Sequence, residues 1–255
     1  MPRPDVVIHV HPGVAWQVAF LDSLTTGLRA ARRSFAITAS PVRVGGGLPV
    51  LLGTTFWAGV EDGGPFLLVD RCSFGDPGTW VTLVRDGHGR RGDHRVPETV
   101  DGSRWERAGV DVLPWRESDE GAVVLCGQTR TWCRSYPSLD GWYAEAGRGC
   151  THFRPHPAAV GAGTKGGPRD RSLPPYDGWH GVARAVTLNS SVGVEAVLLG
   201  IPTVTMDEGA MAWGVTGHRP DDIRRPDRTP WLHWLAWTQW HRDEIRAGTP
   251  WERVL

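Results

Sequence analysis

Lysine is almost missing from this chain. Lys165 is the only one, so 27 of the 28 basic residues are arginine, and they balance 28 acidic residues to a formal net charge of zero. That balance excludes a polybasic, histone-like binder. Base composition of the coding DNA is the plain explanation for the arginine bias. The planar guanidinium also suits phosphates and carboxylates. Cysteine is scarce: Cys72, Cys126, Cys133 and Cys150 show no CxxC spacing, which argues against a zinc centre. No apolar run approaches the length that spans a bilayer. The opening MPRPDVVIHVHPG has neither a long apolar stretch nor a cleavage site, so no secretory leader is expected there, and a cytoplasmic location with reduced thiols follows. Tyrosine and phenylalanine are few, at 3 and 6, against 14 tryptophans. Most of those indoles belong in a core, and some are candidate stacking surfaces for sugars or bases.

A length of 255 residues allows one large domain or two small ones. Residues 5–10 (DVVIHV) read as a strand, and Pro12-Gly13 as a turn. Residues 15–31 read as a helix with Val18, Leu21, Leu24 and Leu28 near one face. A strand–loop–helix start is how Rossmann-like domains begin. Further strands are predicted at 49–52, 66–69 and 80–84, with a long polar loop over 85–104. A second β/α series follows: strands at 109–113, 122–126 and 151–154, a helix over 136–147, a Gly/Pro-rich loop over 158–175 and a short helix at 178–185. A tail helix covers 230–246, with proline in its first turn and Gly248 after its end. The expected organisation is α/β: an N-terminal lobe over 1–114, a second lobe over 115–229, and a C-terminal helix over 230–255 crossing back.

The richest stretch is 186–204, VTLNSSVGVEAVLLGIPTV: a strand, a polar loop (Asn189, Ser190, Ser191), a helix with Glu195 one turn in, and a second strand. At that position in α/β proteins, backbone N–H groups and the positive end of a helix dipole face an anionic ligand. Glu195 is suited to accept from ribose or sugar hydroxyls. Three further pieces belong beside it. Arg154 and His156 follow a strand and suit a phosphate. Gly127-Gln128 make a turn in which the backbone can approach a ligand. Trp213 lies in MDEGAMAWGVTGH, where it could wall a pocket. Each also has an ordinary structural reading as a strand end, helix start or core indole.

Together and in this order, the four pieces resemble the donor-binding half of the GT-B-like glycosyltransferases of the capsule polysaccharide biosynthesis family. The matching residues are Gly127-Gln128, Arg154-Pro155-His156-Pro157, Asn189 through Ala196, and Trp213-Gly214-Val215-Thr216. TVTMDEGAMAW, LAWTQWHRDEIRAGTPWE, DRCSFGDP and DGHGRRGDH also resemble short bacteriophage-encoded proteins with the same half, over most of residues 66–255. The resemblance implies two Rossmann-like lobes with a donor crevice between them. It also implies a nucleotide-sugar co-substrate, a UDP-sugar first, with no tightly bound cofactor and no catalytic metal. The chain is shorter than most GT-B enzymes, so the acceptor lobe must be pared down.

In such a transfer Arg154, His156 and the amides near Ser190 and Ser191 would stabilise charge on the phosphate leaving group. An inverting enzyme also needs a base for the acceptor hydroxyl. Asp70, Asp76, Asp86, His88 and Asp93 are candidates, with Asp93 and Asp76 ranked first for the segments they lie in. His11, Trp16, Gln17, His88, Arg90 and Arg91 are candidate acceptor-side residues. The leading acceptor on this reading is a hydroxymethylated pyrimidine such as 5-hydroxymethylcytosine in phage DNA, with Arg85, Arg90, Arg91 and Arg95 holding the duplex and no membrane involved. A capsular or other surface glycan is the alternative acceptor, and a non-catalytic nucleotide or nucleic-acid binding module is the third reading.

Overall fold

The computed structural model describes residues 3–76, 78–128, 138–156 and 173–255. In chain order its elements are β1 (Val6–His9), α1 (Ala15–Ala30), β2 (Phe35–Thr38), β3 (Leu48–Leu52), β4 (Leu67–Arg71), β5 (Trp80–Arg85) and α2 (Ser103–Ala108). There follow β6 (Ala122–Cys126), α3 (Leu139–Ala146), β7 (His152–Arg154), β8 (Val182–Thr187), α4 (Val192–Leu198) and β9 (Thr203–Thr205). The chain ends with α5 (Thr229–Trp237), β10 (Gln239–His241), α6 (Arg242–Ala247) and α7 (Trp251–Val254). They divide into two compact units, Met1–Val110 with Leu232–Leu255, and Asp111–Trp231. The architecture is mixed α/β, with a largely parallel sheet in each unit.

The first unit holds six strands in the order β10-β5-β4-β3-β1-β2. β2, β1, β3 and β4 run parallel, and β5 and β10 add two antiparallel strands at one edge. The chain leaves β1 to place β2 on one side and β3 on the other. That reversal is where an open α/β sheet forms a crevice at the carboxyl ends of its strands. Val6, Ile8, Val50, Leu52, Leu67 and Val69 are buried against Phe20, Leu24 and Leu28 of α1. Burial of Phe20 departs from the face expected for this helix, and Val18 is 49% exposed.

The second unit holds four parallel strands in the order β7-β6-β8-β9. Its reversal lies between β6 and β8. Alternation along β6 feeds two cores. Leu125 packs with Trp142 and Tyr143 of α3, while Val124 and Cys126 pack with Ala196 of α4 on the other face.

Three sequence expectations change. The tail is not one helix: after Trp237 the chain pairs Gln239–His241 antiparallel with β5, then restarts as α6. A thin aromatic and β-branched run (Thr238 to Trp240) there finds an open strand edge, and pairing outweighs helical periodicity. Residues 178–185 hold a turn leading into β8 rather than a helix, and 109–113 form no regular element. Residues 157–172, most of the Gly/Pro-rich loop expected at 158–175, lie outside the described residues, as do 129–137, the stretch that holds the predicted helix start and Cys133.

Candidate functional site

The four strands of the second unit end side by side. Cys126 stands opposite Arg154, Thr187 opposite Thr205, and Leu125 opposite Val186. The residues at the carboxyl edge are therefore Arg154, Cys126, Thr187 and Thr205, read across the sheet. Parallel strands in register point matching residues to the same face. That face is the one α4 covers. A Cβ on Gly193 would lie 3.2 Å from Thr187 Cγ2 and 3.3 Å from Thr205 Cγ2, so the glycine lets the start of the helix rest directly on the strand ends.

The segments proposed for the donor emerge from this edge. After β6, the Gly127 N–H donates to the Arg154 carbonyl at 2.8 Å, and the Gln128 N–H donates to the Tyr143 hydroxyl at 2.8 Å. With its backbone so fixed, Gln128 is 3% exposed, and its side-chain Oε1 is buried without a hydrogen-bond partner. After β7, Arg154 lies with its guanidinium 4.6 Å from the centre of the Trp179 ring, and its Nη1 is also buried and unpartnered. His156 follows it, half-buried, and burial holds its imidazole below the usual histidine range. After β8 come Asn189, Ser190 and Ser191. The Ser190 hydroxyl accepts from Val192 N–H at 3.3 Å, the Ser190 carbonyl from Gly193, and the Ser191 carbonyl from Val194. In the first turn of α4, Glu195 Oε1 accepts from the Trp179 indole N–H at 2.8 Å. Thr187 Oγ1 is a third buried polar atom with no partner.

Unmatched buried polar atoms cost roughly 1–3 kcal/mol each and are rare in native proteins. Of the twelve such atoms among the described residues, a donor (Arg154 Nη1), an acceptor (Gln128 Oε1) and a hydroxyl (Thr187 Oγ1) are grouped at the ends of neighbouring strands and the turn that follows. A ligand with both acidic oxygens and hydroxyls would satisfy such a set. Burial pushes the Cys126 thiol up to about 12 against the pull of Arg154, which keeps it neutral and unreactive. α4 has only 7 residues, so its dipole adds little, and the converging side chains matter more.

Trp213 opens a short 3-10 turn (Trp213–Val215), and its ring stacks on His218 at 3.4 Å and 4°. Thr216 in the same segment contacts Thr205 through hydroxyls 2.6 Å apart, which ties this segment to the end of β9. One indole face is thus occupied by the protein itself. Thr187 and Trp179 are not singled out in the sequence, and Cys126 reads there only as a cysteine without CxxC spacing. The available signal was position: Cys126 and Thr187 each close a strand before a Gly or polar loop.

The acceptor-side candidates lie in the first unit. His11, Trp16 and Gln17 gather at its β1/β3 reversal. Gln17 Oε1 accepts from His11 N–H at 2.8 Å, its Nε2 reaches Thr55 Oγ1 at 3.5 Å, and His11 Nδ1 accepts from Gly13 N–H at 3.1 Å. His88 Nε2 stands 3.4 Å from Asp70 Oδ2. Arg90 and Arg91 form an exposed 3-10 turn (Gly89–Arg91). Asp93 accepts from Arg95, by backbone N–H at 2.9 Å and guanidinium at 2.8 Å. Asp76 accepts from the Thr79 hydroxyl at 2.6 Å, which with a backbone bond from Gly78 holds its carboxyl below the usual range. Both carboxylates thus close local turns. Among the described residues no group of three or more His, Cys, Asp or Glu is placed to hold a metal ion, and no helix is long and apolar enough to cross a membrane.

No family model matches the chain, and no curated protein matches it. Among solved structures it is similar to the beta Kdo 2,4 transferase of Thermosulfurimonas dismutans KpsC. The TM-score is 0.54 at 16% identity, over 93% of this chain and 91% of that one. The beta Kdo 2,7 transferase of the same KpsC aligns with a TM-score of 0.49 at 12% identity, over 95% and 97% of the two chains. The first likeness shows a fold shared with a sugar transferase.

Proposed function

We propose that this protein is a glycosyltransferase that moves a sugar from a nucleotide-sugar donor to a hydroxyl of a surface glycan. The observation that carries the reading is the meeting, at one parallel sheet edge, of Arg154, Gln128 and Thr187, each with an unpartnered buried polar atom. Asn189, Ser190, Ser191 and Glu195 join them from the loop after β8. The motif resemblance to the capsule polysaccharide family and the fold likeness to a Kdo transferase support the same reading. Leaving-group charge would fall to Arg154 and His156. Glu195 would accept from donor hydroxyls. Which nucleotide and which sugar are used belong to the test, with UDP-sugars first in the panel.

A glycan acceptor is favoured over DNA by where the arginines and tryptophans go. Of the four arginines named for a duplex, Arg85 donates to the Val254 carbonyl at 3.1 Å and pairs with Asp86 at 3.2 Å, and Arg95 pairs with Asp93 at 2.8 Å; elsewhere Arg228 lies 4.2 Å from the Trp115 ring and Arg253 4.2 Å from Trp240. Arg225 and Arg228 further donate to backbone carbonyls at Arg116 and Leu113. Pinned guanidiniums of this kind are not available to a phosphate backbone. Exposed Arg90 and Arg91 speak for the second reading, a hydroxymethylpyrimidine in duplex DNA.

The test incubates the purified protein with a panel of nucleotide sugars. One arm adds oligosaccharide acceptors, including acidic capsule fragments. The other adds duplex DNA containing 5-hydroxymethylcytosine, and both are read by mass spectrometry. Addition of one sugar to an oligosaccharide is the expected result. Transfer to DNA alone would replace the glycan with the second reading. Tight nucleotide binding with no turnover of any donor would make the protein a non-catalytic binding module.

A further inference from the structure

The indole of Trp179 stands between two groups that the proposed function uses. Its N–H donates to Glu195 Oε1 at 2.8 Å, and its ring lies 4.6 Å from the Arg154 guanidinium carbon. The three residues come from separate places in the second unit: Arg154 ends β7, Trp179 sits in the turn before β8, and Glu195 lies in the first turn of α4. Neither α4 nor β7 alone fixes how these opposite charges face each other. Glu195 is exposed on a helix of two turns, where a carboxylate normally samples several rotamers.

We propose that Trp179 is the positioning residue of the donor site, and this rests on the donor reading above. By holding Oε1, the indole fixes the plane of the Glu195 carboxylate and turns Oε2 to a single direction, where it can accept from a ligand. By stacking on the guanidinium, it keeps Arg154 flat at the strand end and removes one face of the cation from water. It also spaces the two charges. An Arg154–Glu195 ion pair would consume both groups. An intervening indole contacts each without neutralising either, so the cation stays available for a phosphate and the carboxylate for a hydroxyl. Burial of Cys126 beneath them fits this, since its thiol feels the field of both Arg154 and Glu195. Trp179 is half-buried and packs against the edge of the core that includes Ala196, so the thermal midpoint must be read beside any loss of affinity.

The N–H and the ring separate experimentally. Trp179→Phe keeps a face for Arg154 and deletes the donor to Glu195. Nucleotide affinity is measured by calorimetry with CMP, UDP and GDP on wild type, Trp179→Phe, Glu195→Ala and the double variant, with thermal midpoints recorded beside each. For the nucleotide that wild type binds most tightly, Trp179→Phe should weaken binding about tenfold, Glu195→Ala at least as much, and the double variant no more than Glu195→Ala alone. A structural role would instead lower the midpoint and multiply the two losses. Wild-type affinity in Trp179→Phe, or fully multiplicative losses, would overturn the proposal. The exposed Glu195→Ala variant supplies a second reading by NMR. The Trp179 indole N–H resonance should move upfield in it, and an unmoved resonance overturns the proposed contact. If wild type binds none of the three nucleotides, the donor reading itself falls, and the role of Trp179 falls with it.

Discussion

The two sheets of this protein reverse direction in the same way, and their reversals are finished differently. At the β1/β3 reversal of the first unit, the protein fills much of the crevice with its own groups, and His9 Nε2 at the end of β1 is the buried polar atom left without a partner there. Gln17, 2% exposed, binds the His11 backbone and reaches Thr55, and Gly53 (φ +68) passes beneath Trp16 and Gln17. At the β6/β8 reversal of the second unit, Gln128 Oε1 and Thr187 Oγ1 have no protein partner, and neither has Arg154 Nη1 one strand over. Equal topology makes two candidate crevices. The difference is one of degree: three unmatched atoms gather at the second reversal and its neighbouring strand, against His9 Nε2 alone at the first, so the second is the one that asks for a ligand.

The sharpest way to break that contrast is to remove the cation from the open edge. Arg154→Ala should lower nucleotide affinity and sugar transfer more than a hundredfold, since a charge-assisted contact to phosphate is lost from a partly buried site. Titration calorimetry and a donor-turnover assay read the two losses, and an affinity within threefold of wild type would place the donor elsewhere.

Acid should strain the first unit. His94 is 5% exposed, and burial pushes its imidazole from 6.5 down to about 4. Burial also lowers His9, at the end of β1. Between those two values the unfolded chain binds a proton that folded His94 refuses. Stability is therefore full above pH 6.5 and falls as pH drops toward 4, by at most about 1.4 kcal/mol per pH unit for this one group. Urea unfolding across that window should show the slope, and His94→Gln should flatten it.

The smallest expected effect concerns the first reversal. Gly53→Ala places a Cβ 2.8 Å from Gln17 Nε2 and 2.9 Å from Trp16 Cζ2 at a left-handed backbone position. It should cost about 1–2 kcal/mol of stability, read by urea unfolding, while nucleotide affinity stays unchanged. Loss of nucleotide binding in that variant would mean that the first reversal, too, serves the donor.

Much of this was legible in the sequence. The run from 186 to 205 carries its strand, polar loop, helix and strand in the residue pattern, although the first four residues of β8 (182–185) read as helix in it, and β3, β4 and β5 appear within two residues of where their apolar runs lie. Pattern fails where a partner decides. β10 is a strand only because β5 offers an edge, and the exposed β2 has Ala36 and Ile37 facing outward, so its alternation is blurred. In the site, Arg154, Gln128 and Glu195 stand out as residue types at strand and helix ends. Trp179 does not, because one tryptophan among fourteen signals nothing until its neighbours are known. Several of the arginines and tryptophans stack on one another, as Arg228 does on Trp115 and Arg253 on Trp240.

Hydrogen–deuterium exchange, with and without the nucleotide that binds, tests the contrast most directly. Protection should appear at 125–128, 152–156 and 187–195, and the segments 9–17 and 53–56 should be unchanged. Protection confined to 9–17 and 53–56 would contradict the account, since it would put the nucleotide at the reversal the protein has largely filled.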